Sequence, residues 1–131
     1  MGSNADLVER FRAAFSGGDV DGALACLSPD AEILPIRARL EGTTYRGHEG
    51  YRHLLTDFDQ DWDDLRLHVD ELREKGEYVI ASSRISAQGR ASGVELDVPL
   101  AVVFEVRDDL VVRMESFEQL DAALAAAGLS K

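Results

Sequence analysis

The apolar residues of this chain change their spacing once, near residue 65, and that change constrains the fold more than any other feature of the sequence. Before it, they recur every three to four residues, which is the spacing of one helix face. After it, they alternate with polar residues, which is typical of strands with one buried face. Helical and strand patterns do not alternate along the chain, so the sequence predicts an α+β fold with a largely antiparallel sheet.

Three helices are predicted in the first half of the chain. The first is capped by Asn4 and stops at the glycine pair 17–18, and the second runs from Asp19 to a turn at 28–30. The third carries a single apolar stripe made of Tyr51, Leu54, Leu55, Phe58 and Trp62. We therefore expect Trp62 to be a buried residue of the third helix.

Strands are predicted on both sides of the third helix. A short one covers 31–36, and another begins at Leu65. Longer strands are predicted at 79–86, 94–106 and 110–117. A short alanine-rich helix at 119–127, with Gly128 as its cap, closes the chain.

The longest predicted strand is apolar on both of its faces. Every second residue from Leu96 to Phe104 is apolar, which makes one face apolar. On the opposite face, Ala101 and Val103 are apolar as well. Both faces of the sheet are then covered, at least in part. If helices cover one face, a second copy of the chain covers the other through an isologous contact, so we expect a homodimer.

Composition excludes several classes of protein. The length of 131 residues fits one domain over 1–131. The net charge of −11 has the wrong sign for binding nucleic-acid phosphates or an anionic membrane. A single cysteine, Cys26, allows neither an internal disulfide nor a thiolate zinc cluster. The sequence shows no long apolar run and no secretory signal, so we expect a cytoplasmic location.

The acidic and histidine-rich segments do not have the spacing of metal sites. His48 and His53 are five residues apart, which places them roughly 140° apart around a helix. The aspartates from Asp57 to Asp64 have the wrong register for a calcium loop, whose glycine position falls on Trp62. We expect neither a metal nor another cofactor.

Three segments in a defined order resemble a known family. They are GDVDGAL at 18–24 followed by LSPDAEI at 27–33, YRGHEG at 45–50, and the ending at 111–129. Their order and spacing are similar to the nuclear transport factor 2-like superfamily, and within it to the SnoaL-like, ketosteroid isomerase-like bacterial proteins. The resemblance covers nearly the whole chain. It implies a cone, in which a curved mixed sheet wraps around three N-terminal helices and leaves a deep apolar pocket, and it implies a homodimer.

The best-known catalytic residues of that superfamily are missing from the matching positions. Pro35 stands where the isomerases have their general base. Phe11 stands where they have an oxyanion-binding tyrosine, and Leu100 where they have the acidic partner of that tyrosine. The epoxide hydrolases carry an arginine and an aspartate on one strand, at the positions of Ser83 and Ile85. Ser116 stands where they, like the polyketide cyclases, have an aspartate on the last strand. Neither mechanism transfers to this chain, because the carboxylates that it needs are absent.

Strand parity and the helix stripes together predict a set of ligand-binding residues. The set is Phe11, Phe15, Ile33, Pro35, Tyr51, Leu55, Phe58, Trp62, Ser83, Ile85, Val98, Leu100, Met114 and Ser116. Almost all of these residues are apolar, so a pocket that they line suits a flat apolar molecule. The alternative is that these side chains meet each other and form a filled core.

Three polar residues are candidates for acid or base catalysis. Strand parity points Glu118 inward, where desolvation would raise its pKa, although the end of a strand can also lie in water. His48 either faces the mouth of the pocket or makes local hydrogen bonds, and Tyr45 either donates to a ligand or covers the edge of the cone. Arg37 and Arg39 either clamp an anionic substrate or lie in solvent.

Three functions are consistent with these residues. The leading hypothesis is a SnoaL-like protein that binds a small apolar ligand in a conical pocket, with no specific reaction assigned. The second is an isomerase, cyclase or hydratase that uses a non-standard acid or base in the pocket. The third is a non-catalytic module for dimerisation or protein interaction.

Overall fold

The computed structural model describes residues 3–36, 42 and 44–128. Its elements are α1 (Asn4–Gly17), α2 (Val20–Leu24), β1 (Leu27–Leu34), β2 (Tyr45–Arg46), α3 (Gly47–Asp61), β3 (Trp62–Lys75), β4 (Tyr78–Gly89), β5 (Glu95–Arg107), β6 (Leu110–Phe117) and α4 (Leu120–Ala126). The α+β class is confirmed: among the described residues, three helices precede the long strands and one short helix follows them. Within the described part of the chain, no helix is both long enough and apolar enough to cross a bilayer.

The described strands form one curved sheet in the order β2-β1-β6-β5-β4-β3. Neighbouring strands are antiparallel except for β1 and β6, which run parallel. The parallel pair arises because the chain passes through α3 and the three long strands before it returns to the side of β1. The predicted mixed, largely antiparallel sheet is therefore confirmed.

Ser3, and not Asn4, caps helix α1. The Ser3 hydroxyl accepts a hydrogen bond from the Asp6 amide at 3.2 Å, and the Asp6 carboxylate accepts one from the Ser3 amide at 3.1 Å. This reciprocal pair is a capping box, which needs an acidic or amide side chain three residues after the cap. Asn4 has Leu7 at that position, so the predicted cap is wrong by one residue.

The second and third helices both end earlier than the sequence predicts. Helix α2 stops at Leu24 because the chain joins the sheet at Leu27, which pairs with Val111 of β6. Helix α3 ends at Asp61, and Trp62 has extended angles (φ −132°, ψ 141°) and pairs with Gly89 of β4. Trp62 is half-buried at the start of β3, so its predicted place on the helix is wrong.

The two faces of the sheet pack against different helices. On the concave face, Val79, Val102 and Phe104 are buried beneath α1 and α3. On the outer face, a smaller cluster that includes Ala101 and Val103 is buried against α4. Both faces of β5 are thus covered, and the chain's own C-terminal helix covers the apolar part of the outer face.

Candidate functional site

An apolar cavity of about 300 Å³, here called the main cavity, lies between the concave face of the sheet and helices α1 and α3. Its lining residues are Phe11, Phe15, Ile33, Pro35, Ile36, Tyr51, Leu54, Phe58, Leu67, Ile85, Leu100, Val102, Phe104, Met114 and Ser116. Among the described residues, the side chains that surround this space leave it open and do not meet across it.

Strand register explains why these sheet residues meet. Side chains of a strand alternate between faces, and directly paired residues of neighbouring strands share a face. Phe104 pairs with Met114, and Val102 pairs with Ser116, so all four point to the concave side. The same register makes the sheet wall of the cavity almost continuously apolar.

Aromatic rings form a packed wall on the helix side. The ring of Phe11 lies edge to face against Tyr51, with centroids 5.8 Å apart, and against Phe104, with centroids 6.0 Å apart. Phe15 stacks on Phe11 at 6.3 Å. Phe11, Tyr51 and Phe104 are each only 1% exposed, so this wall is held by packing from α1, α3 and β5 together.

Very few polar atoms face the main cavity. None of the described lining residues carries a charge at neutral pH, and the hydroxyl-bearing ones are Tyr51 and Ser116. Burial raises the pKa of Tyr51, so its hydroxyl keeps its proton throughout the physiological range. The chemistry available to a ligand here is apolar contact together with hydrogen bonding to hydroxyl groups.

Most of the predicted ligand-binding residues line the main cavity. From the helices these are Phe11, Phe15, Tyr51 and Phe58, and from the strands and the segment after β1 they are Ile33, Pro35, Ile85, Leu100, Met114 and Ser116. Four of these residues occupy the positions that match catalytic residues of the isomerases and cyclases: Phe11, Pro35, Leu100 and Ser116. All four line the main cavity, and none of them is an acid or a base.

Four predicted residues do not line the main cavity. Val98 is 40% exposed, beyond the part of β5 that the helices cover. Ser83 is buried, and its hydroxyl donates a hydrogen bond to the carbonyl of Leu100. Leu55 is rotated about 100° around α3 from Leu54, and Trp62 lies past the end of that helix, so both face elsewhere.

Leu55 and Trp62 line a second cavity, here called the side cavity, of about 330 Å³. Its other lining residues are Phe15, Gly18, Thr56, Phe58, Asp59, Asp64 and Leu65. Phe15 and Phe58 face both cavities and so form the wall between them. The side cavity is more polar than the main one, because two carboxylates and a threonine lie along it.

Five residues of the main cavity were missed by the sequence analysis: Ile36, Leu54, Leu67, Val102 and Phe104. Val102 and Phe104 continue the parity of Leu100, and Leu54 belongs to the predicted stripe of α3, so the signal for these three was present. Leu67 lies on the concave side because it pairs with Ile85, a register that the sequence did not define.

The three catalytic candidates lie outside the main cavity. Glu118 is exposed, just past the last residue of β6. The Nε2 atom of His48 lies 2.9 Å from the carbonyl oxygen of Leu27, so this ring joins α3 to β1. The Tyr45 hydroxyl donates a hydrogen bond to the carboxylate of Asp57.

Two further predicted residues, Arg37 and Arg39, lie outside the described residues. Within the described ranges, no three His, Cys, Asp or Glu side chains lie close enough together to hold a metal ion.

Comparison with known proteins gives a family and a fold. The model of the SnoaL-like domain family matches residues 8–114. No curated protein has a sequence that matches this chain.

Solved structures share the whole fold at low sequence identity. An NTF2-like protein of unknown function from Burkholderia pseudomallei has a TM-score of 0.80 and 21% identity, over 95% of this chain and 97% of that chain. A protein with a ketosteroid isomerase-like fold from Catenulispora acidiphila, in complex with trimethylamine, has a TM-score of 0.76 and 17% identity, over 95% and 93%. A putative SnoaL-like polyketide cyclase from Jannaschia has a TM-score of 0.76 and 19% identity, over 98% and 93%. At these identities the likeness shows the fold alone.

Proposed function

This chain belongs to the SnoaL-like domain family, and on that basis we propose that it binds a small apolar molecule in the main cavity. The observation that carries the proposal is the lining of that cavity, which is almost entirely apolar and encloses about 300 Å³. Ligand sites are typically concave and mostly apolar, with a few polar groups that fix orientation. A volume of this size suits a molecule of one or two fused rings.

The driving force for binding is the removal of apolar surface from water. Each methylene-sized group that a ligand buries contributes about 0.8 kcal/mol, and apolar cavities take up apolar molecules because water makes few hydrogen bonds inside them. The aromatic wall around Phe11 is already packed in the structure, so little ordering is needed when a ligand enters.

Binding fits the main cavity better than acid or base catalysis does. A general acid or base must reach the reacting atoms, directly or through one water. None of the described lining residues is a carboxylate or a histidine, and Glu118, His48 and Tyr45 lie elsewhere.

An isomerase, cyclase or hydratase remains the second candidate. It is favoured by the likeness to the putative polyketide cyclase from Jannaschia. That function requires a proton-transferring group beyond the described lining residues of the main cavity. Retention of activity toward a candidate substrate in a variant that lacks one such group would exclude that group as the acid or base.

Two substitutions at paired positions test the binding proposal. Ile85 of β4 lines the main cavity, and its cross-strand partner Val98 of β5 is exposed outside it. We expect Ile85→Trp to fill the cavity and weaken binding of 2-ethylnaphthalene more than tenfold, because the indole occupies the space of the ligand. Val98→Trp is the matched control and should bind the probe as the wild type does.

Binding would be followed by naphthalene fluorescence and by calorimetry, with circular dichroism to check that each variant is folded. Native mass spectrometry of freshly purified protein would show whether a small molecule is already bound. Absence of probe binding by the wild type, or equal binding by folded Ile85→Trp, would overturn the proposal.

A further inference from the structure

The side cavity, of about 330 Å³, plays no part in the binding proposed for the main cavity. Three of the residues that line it are aromatic: Phe15, Phe58 and Trp62. Trp62 lines this cavity and not the main one, and it is half-buried, so part of its surface is open to a molecule in the side cavity. The side cavity therefore offers aromatic surface to a ligand of its own.

The charged residues along the side cavity are acidic. Its lining includes Asp59 and Asp64, and none of the described lining residues is basic. Arg90 forms ion pairs with Asp59 at 2.9 Å and with Asp63 at 2.8 Å, so these two carboxylates already have a cation. The carboxylate of Asp64 makes no ion pair and no hydrogen bond with the described residues. A positive group in the cavity would thus meet an acidic side chain that still has no partner there.

Helices α1 and α3 both end at the side cavity. Gly18 caps α1, and the residues of α3 that line the cavity lie in its last two turns. The C-terminal end of a helix carries a partial negative charge, which basic side chains in the last turn can offset. Neither helix has a basic residue in its last turn, although the Arg90 guanidinium donates to the carbonyl of Asp59 at 2.8 Å. The end of α1 therefore adds to the negative potential at Asp64.

We propose that the side cavity binds an organic cation, namely a quaternary or protonated tertiary amine with small alkyl groups. Aromatic rings attract such cations through the negative charge of their faces, and quaternary ammonium groups are commonly recognised in this way. The alkyl groups would contact Trp62 and its aromatic neighbours while the positive charge lies near Asp64. This second site is separate from the main cavity, and its existence does not depend on the function proposed above.

Other classes of ligand suit the side cavity less well. The net charge of −11 disfavours an anion. A neutral apolar molecule would shield the aspartates from water without offering them a charge or a hydrogen bond, which costs free energy. Within the described ranges, no three His, Cys, Asp or Glu side chains could surround a bare metal ion. An alkylated amine avoids all three difficulties.

The test compares two probes of the same shape: choline, which is a cation, and 3,3-dimethylbutan-1-ol, in which carbon replaces the charged nitrogen. Trp62 is the single tryptophan of the chain, so its indole N–H gives one signal in a ¹⁵N–¹H spectrum and reports on the side cavity. We expect choline to shift this signal and to bind about 5-fold or more tightly than the neutral probe.

Two substitutions test the residues that carry the proposal. Asp64→Asn should weaken choline binding about 3-fold, because it removes the unpaired negative charge. Asp70→Asn is the matched control: it changes the net charge equally, but Asp70 is an exposed residue of β3 outside the cavity. Trp62→Leu should weaken binding about 5-fold, measured from the methyl protons of choline because the indole is lost. Circular dichroism checks that each variant is folded.

Saturation with 2-ethylnaphthalene should leave choline binding unchanged, whereas competition between them would place choline in the main cavity and overturn this inference. It would also be overturned if the neutral probe bound as tightly as choline, if sodium chloride shifted the indole signal as much as choline does, or if Asp64→Asn and Asp70→Asn had equal effects. Failure of 2-ethylnaphthalene to bind would remove the function proposed for the main cavity, while selective choline binding would still support the second site.

Discussion

Phe104 and Trp62 show that the surroundings of an aromatic residue determine how much it contributes to stability. Both are large apolar residues in regions that the sequence marks as buried. Phe104 is 1% exposed within the ring cluster around Phe11, whereas Trp62 is half-buried beside the side cavity. Their contributions to stability should therefore differ, although the sequence predicts that both side chains are buried.

We predict that Phe104→Ala lowers the free energy of unfolding by about 3–5 kcal/mol, because it leaves a hole between α1, α3 and the sheet. Trp62→Ala should cost roughly half as much, because part of its indole is already in contact with solvent. Urea denaturation of both variants measures the difference. Equal costs would show that Trp62 is as fully buried as the stripe on α3 predicts.

At the scale of elements, the ends of helices were harder to predict than their existence. Helical spacing continues through Trp62 in the sequence, but α3 ends at Asp61, and Trp62 pairs with β4 as the first residue of β3. Just beyond it, Asp64 adopts a φ of 54°, and the register with β4 shifts between Asp63 and Arg66. This irregularity lies where the chain passes from helix to strand, a boundary that residue spacing cannot locate.

The N-terminus of α1 offers a clean test of one element boundary. We predict that Ser3→Ala lowers the free energy of unfolding by about 1 kcal/mol, because it removes the capping box with Asp6. Asn4→Ala should cost clearly less, because Asn4 is already the first helical residue. Thermal or chemical denaturation of the two variants gives the comparison. If Asn4→Ala lost more free energy of unfolding than Ser3→Ala, then Asn4 and not Ser3 would be the cap of α1.

At the scale of the whole molecule, the outer face of the sheet is the surface through which a homodimer would form. Helix α4 covers its apolar part, including Ile80 and Ala101. The remaining part is polar, and it holds the exposed ion pair between Arg84 and Asp97 at 2.8 Å. A second copy would then bury mainly polar surface, so the apolar driving force for a dimer is smaller than the sequence suggested.

The homodimer remains a prediction, and it can be tested at that surface. We expect the wild type to sediment with twice the mass of one chain. Arg84→Glu should weaken association, because it places like charges at Asp97 and across the two-fold axis. Arg52→Glu, on the exposed side of α3, is the control and should leave association unchanged. A wild type that stays monomeric at high concentration would contradict the prediction.

The sequence by itself determined the type of nearly every element, the parity of the sheet and the absence of acids at positions such as Pro35 and Leu100. These properties follow from periodicity and residue type, which are local. Only the tertiary structure decided that the inward side chains leave a cavity and that α3 ends before Trp62. Each of these depends on distances between elements far apart in the chain, which residue spacing does not encode.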